Sequence, residues 1–138
     1  MITLITGKKG AGKTKKLVDL ATLATNNSEG NVVVIEKGAK LTYGLTHKTR
    51  LINIEQYGID GAAALYGFLT GICATNYDVT DILVDSTLKI CGENLNALSE
   101  LIQKLNQISE SFNTRFVFSV SAESKEISDS LNSICEII

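Results

Sequence analysis

Proline and tryptophan are absent from this 138-residue chain, and histidine occurs once, at His47. Without proline there is no proline-rich linker, and a lone histidine builds no metal site. The three cysteines, Cys73, Cys91 and Cys135, are odd in number, far apart and set among apolar residues. That pattern excludes a disulfide framework and any regular ligand spacing, and it fits reduced thiols. No apolar run approaches membrane-spanning length, and the amino-terminal residues read as a strand rather than a leader segment. With 13 Lys and Arg against 15 Asp and Glu, the net charge of −2 argues against nucleic-acid binding by bulk electrostatics. The expected setting is the cytoplasm. Arginine is scarce as well, limited to Arg50 and Arg115.

What is present is 44% hydrophobic residues, enough to core one domain over residues 1–138. The most specific feature is Gly7-Lys8-Lys9-Gly10-Ala11-Gly12-Lys13-Thr14, which satisfies G-x-x-x-x-G-K-[ST] at every position. It follows an apolar, β-branched run, Ile2 to Thr6, and precedes a helical pattern from Lys13 to Asn26 with Leu17, Ala21 and Ala24 on one side. Gly10 and Gly12 permit positive φ and close backbone approach to an anion. Backbone N–H groups at the positive end of the helix then face that anion. The pattern predicts Lys13 on the β- and γ-phosphates and the Thr14 hydroxyl on Mg²⁺. The neighbouring Lys8, Lys9, Lys15 and Lys16 are explained by the charge of a nucleotide.

Further along, Val32 to Ile35 reads as a strand buried on both faces, ended by Glu36. Lys37 to Thr49 reads as a mobile loop, and Leu51 to Ile54 as a weaker strand near an edge. Helices are predicted over Asp60 to Ala74 and Glu93 to Phe112, the second with a stripe of Leu95, Leu98, Ile102, Leu105 and Phe112. Asp81 to Ser86 and Phe116 to Ser121 read as strands. Ser124 is expected to cap a last helix through Leu131, followed by a strand at Ile134 to Ile138. Strands alternating with helices predict an α/β fold, a three-layer, doubly wound, mostly parallel sheet with right-handed crossovers.

A magnesium–nucleotide site needs an acid opposite the glycine loop, and Asp85, at the end of Ile82-Leu83-Val84, is the expected ligand beside Thr14. Ser86 follows it where many ATPases place a water-activating glutamate. Glu36 is therefore the first candidate for the catalytic base, with Glu55 second. If the strand ending in Ser119-Val120-Ser121 inserts between the first strand and the Asp85 strand, Ser119 or Ser121 becomes a sensor of the γ-phosphate or holds the water. A serine that caps the next helix fits equally. Both arginines start strands, at the sheet edge away from the nucleotide, so neither serves as an arginine finger in cis. That charge falls to Lys8, Lys9, Lys37, Lys40 or another chain.

On Gly7–Thr14 and the Asp85 strand, and over nearly its whole length, the chain resembles the P-loop NTPases. It is most similar to their RecA-like branch, which has an extra strand between the glycine-loop and acidic strands and can carry its glutamate where Glu36 stands. The resemblance implies ATP and Mg²⁺ as ligands and an ATPase often completed at a subunit interface. Small stand-alone bacterial P-loop proteins without an assigned role are also similar. Lys8 stands where MinD/ParA-like ATPases carry a lysine that reaches across a dimer, although Lys9 replaces their next glycine. Type II thymidine kinases share the opening strand, loop and helix, but their Asp-Glu pair and zinc cysteines are missing here. No guanine-reading Asn-Lys-x-Asp occurs. The expected function is an ATP- and Mg²⁺-dependent protein with slow hydrolysis, stimulated by a homo-oligomer or a protein partner. The alternatives are a non-hydrolysing nucleotide switch and a small-molecule kinase with Lys37–Thr49 as its lid.

Overall fold

Alternating and continuous apolar runs set the strands, and the glycines and capping residues between them set where each ends. In the computed structural model, which describes residues 1–39, 41 and 44–138, the elements run in chain order as follows. They are β1 (Ile2–Thr6), α1 (Lys13–Asn27), β2 (Asn31–Glu36), β3 (Arg50–Asn53), α2 (Ala62–Thr75), β4 (Val79–Val84), α3 (Thr87–Ile90), α4 (Leu95–Phe112), β5 (Arg115–Val120), α5 (Asp129–Asn132) and β6 (Cys135–Ile137). The strands form one sheet in the order β3-β2-β4-β5-β1-β6, and every pair is parallel. The fold is therefore α/β, three layers deep and doubly wound. β5 does insert between β1 and β4, and β3 is an edge strand.

Period-two alternation divides each strand between two cores. Val33 and Ile35 of β2, Ile82 and Val84 of β4, and Phe116 and Phe118 of β5 face α2 and α4. Val32, Val34, Leu83 and Val117 face Leu17 and Ala21 of α1. Burying each such branched or aromatic side chain contributes about 1.5–3 kcal/mol. Leu41 and Leu45 pack into the α1-side core, and Leu41 is buried. Part of the segment expected as a mobile loop is thus anchored; Lys40 lies outside the described residues.

Most element ends differ from the sequence reading by one or two residues, and the following differences have an evident physical cause. α4 begins at Leu95 because the Asn94 side chain accepts the N–H groups of Asn96 and Ala97, at 3.0 and 3.1 Å. Glu93 is outside it, in a left-handed conformation at φ 59°. The buried stripe of α4 includes Leu101 and ends at Ser109, leaving Phe112 42% exposed. The last helical stretch is split at Ile127, which is extended and buried. Glu123 and Glu126 cap a 3-10 turn at Ser124–Glu126, and Ser128, rather than Ser124, caps α5.

Arg50 and Arg115 do start β3 and β5. Arg115 donates two hydrogen bonds, of 2.9 and 3.0 Å, to the buried Asp81 across the β4–β5 pair. Among the described residues no helix is long and apolar enough to cross a membrane.

Candidate functional site

At the carboxyl edge of the sheet the chain leaves β1 through the glycine-rich loop. Gly7 stands at φ 146°, and a Cβ there would meet the Ala11 Cβ at 3.0 Å. Gly12, at φ 87°, caps α1 with no side-chain hydrogen bond, and the first turn of α1 holds no acid. The N–H groups of that turn have no partner within the helix, and the turn itself adds positive charge from Lys13, Lys15 and Lys16 to the positive end of the dipole. A helix end left this way suits an anion. The Gly7 N–H donates to the Ala122 carbonyl at 2.8 Å, tying the loop to the chain beyond β5. Lys13 folds back across the loop and donates to the Lys8 carbonyl at 2.8 Å. Its burial pushes the ammonium below the ordinary lysine range, and the Asp85 carboxylate partly offsets this.

Asp85 follows β4 directly. Leu83 faces α1, so by alternation Asp85 faces α1 as well, and Thr14 in the first turn of α1 meets it. The Thr14 hydroxyl lies 3.3 Å from both carboxylate oxygens. The β4–β5 register pairs Val84 with Phe118, which sets Ser119 beside Asp85. The Ser119 hydroxyl donates to Asp85 Oδ1 at 2.6 Å and accepts the Ser86 N–H at 2.8 Å. The Ser86 hydroxyl reaches Oδ2 at 3.4 Å. Three hydroxyls therefore fix one buried carboxylate. Ser86 adopts a left-handed conformation at φ 53°, which is strained for a residue with a Cβ.

Lys13, Thr14, Asp85, Ser119 and Ser121 line one cleft of about 630 Å³, together with Lys9, Gly10 and Gly12. Its remaining wall is Ser86, Leu88, Lys89 and Glu93. Lys8 points elsewhere, 3.7 Å from Glu123; it contributes its carbonyl to Lys13. Gly7 and Ala11 shape the loop without lining the cleft. Glu36 follows Ile35, which pairs with Val84, so it stands beside Asp85. It is 3% exposed, its carboxylate accepts the Leu41 N–H at 3.2 and 3.3 Å, and it does not line the cleft. Glu55 is exposed, in a 3-10 turn after β3. Lys37 donates to the Lys89 carbonyl at 3.4 Å.

Leu88, Lys89 and Glu93 line the cleft and were not among the expected site residues. Gly92 followed by Asn94, a helix-capping residue three positions before Ala97, was the available signal for a loop there. Among the described residues no three His, Cys, Asp or Glu side chains cluster as a self-sufficient metal site. The donor set at Asp85 is one carboxylate and one hydroxyl, both hard oxygens. Mg²⁺ fits such a set, because it retains water and completes its shell from a bound phosphate. No protein-family model matches the chain and no curated protein matches it, so the functional reading rests on the chemistry of this cleft.

Proposed function

We propose that the chain is a Mg²⁺-dependent ATP-binding protein of the P-loop NTPase superfamily, RecA-like in its strand order, that hydrolyses ATP slowly. One observation carries the reading: the Thr14 hydroxyl and the Asp85 carboxylate stand 3.3 Å apart beside an uncapped, lysine-rich helix start. Lys13 meets phosphate charge. Thr14 and Asp85 hold Mg²⁺, and Ser119 keeps the Asp85 carboxylate turned toward Thr14. Bound Mg²⁺ supplies neutralisation of the β- and γ-phosphate oxygens. Backbone N–H groups of the glycine loop orient the polyphosphate.

Both arginines sit at the far edge of the sheet, which favours a second copy or a protein partner as the source of further positive charge and of faster turnover. A reducing, ATP-rich cytoplasm suits the three free thiols. Burial pushes those of Cys91 and Cys135 up to about 11, so they stay protonated at neutral pH. A second reading, a nucleotide switch without turnover, is favoured by the engagement of Glu36. Its carboxylate is buried off the cleft wall and accepts the Leu41 N–H.

Calorimetry with Mg·ATP tests the proposal. Binding is expected with magnesium and is expected to weaken on its chelation. Lys13→Ala should weaken it about a hundredfold, equivalent to about 2.7 kcal/mol. No binding heat from any nucleoside triphosphate with magnesium would refute the proposal. Phosphate release from saturating ATP separates the two readings.

A further inference from the structure

We infer that the Ser86–Asn94 segment, rather than the end of β2, carries the catalytic half of the cleft, with Lys89 facing the terminal phosphate and Glu93 polarising the attacking water. The inference rests on the cleft being a nucleotide site and names the groups that act there.

Two carboxylates line the cleft, Asp85 and Glu93. Asp85 is committed to Thr14, Ser119 and Ser86. Glu93 is exposed and makes no side-chain hydrogen bond or ion pair with the described residues. Glu36 is turned to the Leu41 N–H and is off the cleft wall. The cations divide in the same way. Lys13 and Lys9 belong to the glycine loop, whereas Lys89 lines the cleft from the α3 side.

The backbone supplies an independent sign. α3 is bracketed by left-handed residues, Ser86 at φ 53° before it and Gly92 and Glu93 at 75° and 59° after it. Strain on residues bearing a Cβ persists where the surroundings over-determine it, and it concentrates at functional sites. Here it turns a four-residue helix into a cleft wall.

In the step that follows, water oxygen bonds to the γ-phosphorus while the bond to the β,γ-bridging oxygen breaks. The bridging electron pair leaves with ADP, and the water proton passes to the Glu93 carboxylate and then to solvent. Lys89 offsets the charge on the γ-phosphoryl oxygens, as an arginine finger does elsewhere.

The test uses the full chain and three variants, Lys89→Ala, Glu93→Gln and Glu36→Gln, with thermal melting as a check of folding. Calorimetry is run with Mg·ATP and with Mg·ADP, and phosphate release is run alongside. Lys89→Ala should weaken Mg·ATP about tenfold and leave Mg·ADP within about twofold, since only the triphosphate carries the contacted group. Glu93→Gln should bind Mg·ATP like the parent and release phosphate about a hundredfold more slowly. Equal weakening of both nucleotides by Lys89→Ala overturns its role. A Glu93→Gln rate within about threefold of the parent, a loss carried by Glu36→Gln instead, or a parent that binds without turnover overturns the role of Glu93. A parent that binds no Mg·ATP refutes the nucleotide reading itself, which is a separate result.

Discussion

A hydroxyl 2.6 Å from a carboxylate oxygen decides how that carboxylate is aimed. Ser119 fills this role for Asp85 and also satisfies the Ser86 N–H. Ser119→Ala removes both partners from a buried setting, so it should cost about 1–3 kcal/mol of stability and raise the magnesium concentration needed for nucleotide binding. Melting without nucleotide and a magnesium titration with it would check this, and an unchanged magnesium requirement would count against the aiming role. Thr14 and Asp85 were legible because motif and strand end fix them. Ser119 was legible only as one of two serines, since period two sets both on the α1 side and the choice depends on which stands level with Asp85, a matter of the β4–β5 register. Glu93 was read as the first helical residue, because Glu is a good helix former and a left-handed backbone leaves no trace in composition.

Among elements, the strands and the helices of several turns were legible, whereas the one-turn helix α3 was not. β1, β2, β4 and β5 announce themselves as β-branched runs, and α1, α2 and α4 span enough turns to show an apolar face. α3 has four residues, too few for any periodicity, yet it forms a wall of the cleft. The turn that follows α3 ends at Asn94, whose side chain holds two N–H groups at the start of α4. Asn94→Ala should therefore lower stability by about 1 kcal/mol and loosen the turn that presents Glu93. Hydrogen exchange at Asn96 and Ala97 should accelerate more than at Leu105; equal protection throughout α4 would argue that the cap is immaterial.

For the molecule as a whole, the parallel three-layer plan was legible from alternating strands and helices. The place of β5 was only conditional, because crossover handedness permits more than one strand order. That placement matters for the site, since it brings Ser119 against Asp85. A ligand that binds only the folded chain adds stability by mass action, about 2.7 kcal/mol at a hundred times its dissociation constant. For a chain of this size saturating Mg·ATP should raise the melting temperature by roughly 5–10 °C, and Lys13→Ala should reduce that gain. Scanning fluorimetry would measure both. A parent chain melting at one temperature with and without the nucleotide would contradict the binding.

The sheet order also bears on synthesis. β1 leaves the ribosome ahead of the other strands, yet it pairs only with β5 and β6, the last of the six to emerge. Until they do, its apolar edges have no native neighbour, and an unpaired strand is a template for mispairing. The glycine loop at its tip likewise waits for Asp85, 71 positions downstream, and for Ser119 after that. A nascent chain therefore completes the cleft beside its glycine loop and its amino-terminal pairing in the same late event. Truncation before β5 would leave a fragment that exposes the most recognisable motif in the sequence and has lost the means to use it.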